Sequence, residues 1–140
     1  MKKKLLVSLC LLPLYAHAEV VSESFCFSGG NQRFINFELR TYFDTVAKWS
    51  GAFVKYSKSN IPISLVLKDV RSEEIDSQSP EQTTNTWLEI SDGKITGEYE
   101  MMTQGGNVLS MRYVKINNGK EFFFENNLSV KSSLESGCSW

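Results

Sequence analysis

Three glutamates around one predicted turn are the residues whose types and spacing could do acid–base chemistry. Glu89 precedes an Asp92-Gly93 pair, and Glu98 and Glu100 follow it. If the two segments form a hairpin with a two-residue loop, we expect the three carboxylates on one face. Two carboxylates a few ångströms apart are the machinery of a glycosidase. An antiparallel strand with one solvated face also places glutamates there, and the sequence favours that simpler explanation.

Trp87 is predicted to lie on the same polar face. Its neighbours at alternate positions, Asn85 and Glu89, are polar, whereas Leu88 belongs to the predicted core face. A two-residue loop would place Trp87 opposite Glu98. An exposed tryptophan among polar groups is typical of a recognition surface or a sugar-stacking platform. The alternative is that the long loop or another element covers the indole.

Trp49 and Tyr56 lie on another predicted strand and could extend this surface. Gly51 stands between them, and we predict a β-bulge there. Because a bulge changes which side chains share a face, the sequence leaves their orientation open. The candidate binding residues are therefore Trp87, Glu89, Glu98, Trp49 and Tyr56.

The first residues indicate export. Met1 to Lys4 is basic, residues 5–15 are apolar, and Ala16-His17-Ala18 has the small-x-small pattern of a signal-peptidase site. We expect cleavage between Ala18 and Glu19, which gives a signal peptide over 1–18 and one β-rich domain over 19–140. The apolar stretch is too short to span a bilayer, so we expect no membrane span after cleavage. The predicted destination is the periplasm or the outside of a bacterium.

The predicted cleavage removes most of the familiar catalytic equipment. The only histidine, His17, lies in the predicted signal, so the mature chain would have no imidazole. This excludes Ser-His-Asp and Cys-His nucleophilic sites and His-ligated zinc or copper. Glu73, Glu74, Asp76 and Glu81 do not have the spacing of an EF-hand loop, and the Gly-Gly pairs lack the phosphate-loop pattern. We predict no cofactor and no metal.

The mature charge restricts the partners. Loss of Lys2, Lys3 and Lys4 leaves 12 basic residues against 16 acidic ones, a net charge of −4. Nucleic acids and anionic membranes are bound by clusters of lysine and arginine, which the mature chain lacks, so neither is an expected partner. A cationic hydrolase or toxin in the periplasm would suit an acidic protein electrostatically.

Two cysteines remain after cleavage, Cys26 and Cys138. An even pair in an oxidising compartment predicts a disulfide, here one that ties the two ends of the mature chain together. Cys10 lies within the apolar stretch and is assigned to the discarded signal.

The rest of the chain alternates between apolar and polar residues with a period of two. The clearest strand is 34–43, the polar segment 71–83 predicts a long exposed loop, and Asp92-Gly93 and Asn118-Gly119 predict two tight hairpins. If both loops have two residues, Thr86 faces Tyr99 and Tyr113 faces Phe124. We predict an all-β fold, either an antiparallel β-sandwich or a small up-and-down β-barrel of about seven to eight strands, closed by one disulfide.

These features favour a non-enzymatic binding domain. The first hypothesis is an exported protein that binds another protein in the periplasm, as an inhibitor or immunity-type protein does. The second is a carboxylate-dependent glycan hydrolase of the cell envelope that uses Glu98 with Glu89 or Glu100. The third is a small-ligand carrier with a cavity inside the barrel, since the sequence does not distinguish a filled barrel from a hollow one.

Overall fold

The computed structural model describes residues 19–31 and 34–140; the predicted signal peptide, with Ala18, lies outside this range. Every regular element in the described residues is a strand. The strands are β1 (Val20–Gly29), β2 (Ile35–Asp44), β3 (Trp49–Tyr56), β4 (Ile63–Glu73), β5 (Gln82–Ser91), β6 (Lys94–Gln104), β7 (Asn107–Lys115), β8 (Glu121–Asn126), β9 (Lys131–Ser133) and β10 (Gly137–Ser139).

Strands β1 to β8 form a closed antiparallel barrel. Each strand pairs with the next one along the chain, and β8 pairs back to β1 through Phe27–Gly29 and Phe124–Asn126. The all-β prediction and its up-and-down barrel form are confirmed, whereas the sandwich alternative is not. Connections β2–β3, β4–β5 and β6–β7 lie at one end of the barrel, and the Asp92-Gly93 turn lies at the other, as an up-and-down order requires.

The inward positions of the alternating pattern fill the middle of the barrel. Phe37 lies at the centre of an aromatic cluster, with ring centroids 5.2 Å from Phe27 and 4.8 Å from Phe124. Burial of such side chains is the main favourable contribution to folding. The buried core comprises Phe27, Phe37, Leu39, Val54, Leu65, Trp87, Tyr99, Met101, Met111 and Phe124.

A short C-terminal hairpin covers part of the outer wall. Strands β9 and β10 pair with each other and are joined to β1 by the disulfide between Cys26 and Cys138, whose Cα atoms are 5.8 Å apart. The predicted disulfide is confirmed. Beneath the hairpin, the outward carboxylate of Glu38 is buried and binds Arg40, which also donates a 2.9 Å hydrogen bond to the carbonyl of Leu134.

The first predicted tight turn is confirmed. Ser91 pairs with Lys94 and Ile90 with Ile95, which leaves a two-residue loop. Asp92 and Gly93 have φ angles of 49° and 71°, the left-handed values that a type I′ turn needs.

The register predicted for the second hairpin is wrong. Lys115 donates its backbone N–H to the carbonyl of Lys120, so the loop contains four residues and not two. Tyr113 therefore pairs with Phe122 and not with Phe124, which pairs with Met111. The Asn-Gly signal marks the turn but does not fix its length.

Two further predictions concern strand continuity. The bulge predicted at Gly51 is wrong, because β3 pairs with β2 without a shift of register from Trp49 to Tyr56. The predicted 71–83 loop is shorter than expected, because β4 continues to Glu73 and β5 begins at Gln82. Residues 74–81 form the exposed connection, and Asp76 orders it by accepting hydrogen bonds from the backbone of Gln78 and Ser79.

Within residues 19–31 and 34–140, no helix has the length and apolar character needed to cross a membrane.

Candidate functional site

A β-bulge next to the first hairpin decides which side chains enter the barrel. Glu89 pairs with Gly97 and Ile90 with Ile95, so Thr96 is an extra residue on β6. Such an insertion changes the register by one residue and exchanges the partners of every following position. Trp87 consequently pairs with Tyr99 and not with Glu98, while Thr86 pairs with Glu100. The predicted pairings beyond Ile90 are therefore wrong.

Trp87 is in the core and not on an exposed surface. Its side chain is part of the buried cluster, with 4% of the residue accessible. Its Nε1 has no hydrogen-bond partner among the described residues. The prediction of an exposed platform at Trp87 is wrong, because β5 presents Trp87 and Glu89 to the interior and Leu88 to the outside.

Glu89 is a buried carboxylate held by hydroxyl groups. It is 6% exposed, and it accepts hydrogen bonds from Thr96 Oγ1 at 2.7 Å, Tyr99 OH at 2.9 Å and Tyr113 OH at 3.1 Å. Tyr56 OH lies 2.6 Å from Tyr99 OH. Because Tyr99 has one hydroxyl hydrogen and gives it to Glu89, Tyr56 is the donor to Tyr99. We call these five residues the Glu89 cluster.

The interior changes the acidity of the three tyrosines in this cluster. Burial raises the pKa of Tyr99 well above its ordinary value, and the nearby Tyr56 and Glu89 raise it further. Burial and the charge of Glu89 also raise the pKa of Tyr113. Burial raises the pKa of Tyr56 as well. All three hydroxyls therefore remain protonated at neutral pH and are available as donors.

The three predicted carboxylates do not share a face. Glu98 is on the outer wall, where its Oε2 lies 2.7 Å from Nζ of Lys68. Glu100 is also outside and meets Arg112 at 3.2 Å. Since Glu89 is inside the barrel, the wall of the protein separates it from both other carboxylates. The predicted common face is therefore wrong for Glu89, whereas Glu98 and Glu100 share the outer face of β6, where each is paired with a basic side chain.

Tyr56 and Trp49 lie on opposite faces of β3. Tyr56 points inward to the Glu89 cluster, whereas Trp49 points outward and is 61% exposed. The Trp49 ring lies over Gly51, so close that any β-carbon at Gly51 would overlap the indole. Gly51 therefore provides a flat seat for the ring. The residue that suggested a bulge in the sequence has this different role.

Further aromatic and apolar side chains surround Trp49 on the outer wall. Tyr42 and Val66 flank Gly51 in register on β2 and β4. Phe53 lies next to Tyr42, with ring centroids 6.2 Å apart. Sequence reasoning missed these neighbours, because the predicted bulge left the face of β3 undefined. We call the group of Tyr42, Trp49, Phe53 and Val66 the Trp49 surface.

Exposed carboxylates gather at the end of the barrel where β3 begins. The β4–β5 connection and its flanks carry Glu73, Glu74, Asp76 and Glu81, all exposed. The β2–β3 turn, which leads directly into Trp49, lies at the same end. The carboxylates and the turn that leads into Trp49 therefore share one end of the barrel, where Lys48 also lies. We call this the acidic end.

The acidic end of the barrel offers little space for a ligand, whereas a cavity of about 460 Å³ lies at the opposite end, beside Ile35 and Tyr56. At the acidic end the mouth of the barrel holds a cavity of about 160 Å³, lined by residues that include Thr41, Ser50, Asn85 and Trp87. Below it the core side chains fill the barrel. Ligand pockets for drug-sized molecules usually enclose about 300–1,000 Å³. The cavity at the acidic end is therefore small for a drug-sized ligand.

Among the described residues, no group of three or more histidine, cysteine, aspartate or glutamate side chains is arranged to hold a metal ion. In comparisons with known proteins, no family model matches the chain, and no curated protein and no solved structure is significantly similar to it.

Proposed function

We propose that the chain is an exported, non-enzymatic domain that binds a cationic protein of the periplasm, in the manner of an inhibitor or immunity protein. The observation that carries the proposal is the Trp49 surface. A tryptophan with most of its side chain in solvent has a free-energy cost that burial against a partner would relieve. Tryptophan and tyrosine are also the side chains that dominate binding energy at protein interfaces.

The rigidity of this surface supports the proposal. Trp49 is fixed by its seat on Gly51, and Tyr42 and Phe53 are held on neighbouring strands of the barrel. Aromatic rings lose little conformational entropy when they bind, because few torsions remain to be fixed. A partner would therefore meet a preformed surface, without a prior change of shape.

The charge of the molecule supports a cationic partner. The acidic end carries Glu74, Asp76 and Glu81 at the same end of the barrel as the turn that leads into Trp49, and the mature chain has a net charge of −4. Complementary charges at the edge of an interface mainly accelerate association. The carboxylates would guide the partner, and the aromatic surface would hold it.

In the test, the mature protein, residues 19–140, is immobilised on a support and incubated with periplasmic extract of the source bacterium. The captured protein is identified by mass spectrometry, purified and titrated by calorimetry. Trp49→Ala is compared with Trp140→Ala, because Trp140 is also an exposed tryptophan, at 43%. We expect Trp49→Ala to weaken binding by at least about tenfold and Trp140→Ala to leave it unchanged.

A second variant tests the role of charge. Glu74→Gln combined with Asp76→Asn and Glu81→Gln should slow association and reduce its dependence on salt, with little change in the dissociation rate. Recovery of no stoichiometric partner, or equal affinity of Trp49→Ala and the unmodified protein, would overturn the proposal.

A further inference from the structure

Strand β8 pairs with different neighbours along its length. From Glu121 to Phe124 it pairs with β7, and from Phe124 to Asn126 it pairs with β1. The contact with β1 is close at Gly29, where a β-carbon would fall on the carbonyl of Phe123. Gly30 also donates its N–H to that carbonyl at 2.9 Å. Phe124 is therefore the point at which β8 leaves β7 and joins β1.

This change of partner leaves one edge of β7 open. Asn107, Val108 and Ser110 pair with β6 on one side, and Leu109 is the extra residue of a β-bulge. Among the described residues no strand pairs with Asn107–Ser110 on the side of β8. A wedge-shaped cavity of about 340 Å³ lies there, between Asn107–Ser110 and Phe124–Asn126. Unpaired N–H and C=O groups along a strand edge are a template for another extended chain.

The open edge is continuous with a larger groove on the other side of β8. This groove encloses about 860 Å³ and runs along the seam of β1 and β8. Both cavities are lined by Phe124, Asn126 and the exposed side chain of Leu128. Leu109, half exposed beside the wedge, adds another apolar contact. An occupant would thus meet backbone groups and apolar side chains together.

One carboxylate sets the charge of this region. Glu125 lines both cavities, and it is the only charged residue that does so in the described part of the chain. It is exposed and forms no salt bridge with another described residue. A lysine or arginine of an incoming segment would be the complementary group.

We infer that the wedge between β7 and β8 binds an extended, basic segment of a partner protein, which adds to Asn107–Ser110 as an extra β-strand. Backbone hydrogen bonds to β7 provide the affinity, alternate apolar side chains contact Leu109 and Leu128, and a basic residue pairs with Glu125. The inference rests on the proposed function in taking the partner to be cationic. The wedge is on a different part of the barrel wall from the Trp49 surface, so the two can be tested separately.

The experiment uses the mature protein labelled with ¹⁵N and synthetic peptides, so it needs no natural partner. The first peptide alternates valine and lysine and is capped at both ends. A second replaces each lysine by glutamate, and a third has proline at its centre, which removes a backbone donor. Chemical shifts and amide exchange are recorded for Asn107–Ser110 and for the Trp49 surface.

The valine–lysine peptide should bind saturably and slow amide exchange within Asn107–Ser110. The glutamate and proline peptides should bind at least about tenfold more weakly. Glu125→Lys should weaken binding of the valine–lysine peptide to a similar extent. The control is Glu135→Lys, at another exposed glutamate, which should leave the affinity unchanged.

Three results would overturn the inference. One is the absence of protection at Asn107–Ser110 with every peptide, and another is peptide binding at the Trp49 surface. The third is protection of the same amides without peptide in a dimer that forms as concentration rises, since the occupant would then be a second copy. If Trp49→Ala no longer captures the partner from the extract, that result concerns only the proposed function. It does not test peptide binding in the wedge.

Discussion

Glu89 accepts three hydroxyl hydrogen bonds inside the barrel, whereas Glu98, on the neighbouring strand, meets Lys68 outside it. The extra residue Thr96 separates the two carboxylates by shifting the register of β5 against β6. The same residue then donates to the carboxylate that its insertion turns inward. The bulge therefore both creates the buried glutamate and contributes to its solvation.

The two glutamates should differ strongly in their effect on stability. Glu89→Ala leaves the hydroxyls of Thr96, Tyr99 and Tyr113 without their acceptor, and we expect it to lower the free energy of unfolding by about 3 kcal/mol. Glu98→Ala removes a surface ion pair and should cost less than about 1 kcal/mol. Glu89→Gln keeps one acceptor oxygen and should lie between them. Urea unfolding followed by circular dichroism measures all three, and equal losses for the two alanine variants would contradict the inward position of Glu89.

The sequence predicts the fold better than the site. Period-two alternation and turn residues are local signals, and they suffice for a barrel of short antiparallel strands. The disulfide is predicted from the two cysteines outside the predicted signal peptide, and the structure has it between Cys26 and Cys138. The predicted fold class depends on an alternation that every strand repeats, so a wrong prediction for one strand does not change it.

The faces of β5 depend instead on a single residue elsewhere. Nothing in β5 itself shows that Thr96 on β6 is unpaired, and one unpaired residue is enough to exchange the inner and outer faces. Both faces of β5 carry apolar residues, Trp87 on one and Leu88 on the other, so composition does not decide between them. The hydroxyl partners of Glu89 come from β6 and β7, and their convergence is a property of the closed barrel.

The burial of Trp87 can be measured by fluorescence. In the Trp49→Phe/Trp140→Phe variant, Trp87 is the only tryptophan, and we expect blue-shifted emission with weak quenching by acrylamide. In Trp87→Phe the two exposed tryptophans should emit further to the red and be quenched readily. Emission from the first variant that resembles indole in water would contradict a core position for Trp87.

The stability of Trp87 variants should follow volume more than polarity. Because Nε1 has no hydrogen-bond partner among the described residues, Trp87→Phe loses buried surface but no hydrogen bond. We expect a loss of about 1–2 kcal/mol for Trp87→Phe and about 3–5 kcal/mol for Trp87→Ala. Thermal unfolding of both variants tests this, and a Trp87→Phe loss as large as that of Trp87→Ala would show that Nε1 is engaged after all.

Tyr99 should make the fold sensitive to alkali. Its ordinary pKa is 10.0, and burial raises the value well above this in the folded state. Above pH 10.0 the tyrosine of the unfolded chain loses its proton, whereas Tyr99 of the folded chain keeps it. The contribution of Tyr99 to the free energy of unfolding is therefore fully present below pH 10.0 and is lost as the pH rises toward the folded-state pKa. The slope for one such tyrosine is about 1.4 kcal/mol per pH unit. Urea unfolding across this range should show the decline, and Tyr99→Phe should make it shallower. A slope that Tyr99→Phe does not change would assign the alkaline loss to other groups.

The disulfide should act on the C-terminal hairpin more than on the barrel. Closing a loop with a sequence separation of 112 stabilises a chain by up to about 4–5 kcal/mol through the unfolded state. In Cys26→Ser/Cys138→Ser we expect a loss within that range and faster amide exchange in β9 and β10, while the barrel strands keep their order of protection.

The hairpin should detach first because its other anchors are few, chiefly Arg40 to the carbonyl of Leu134 and the backbone of Cys138 to Glu38. Arg40→Ala in the oxidised protein is the control, since it removes one of those anchors and leaves the covalent link. If amide exchange in the double serine variant becomes faster by the same factor in the hairpin and in the barrel, the prediction is wrong. The hairpin then unfolds together with the barrel as one cooperative unit.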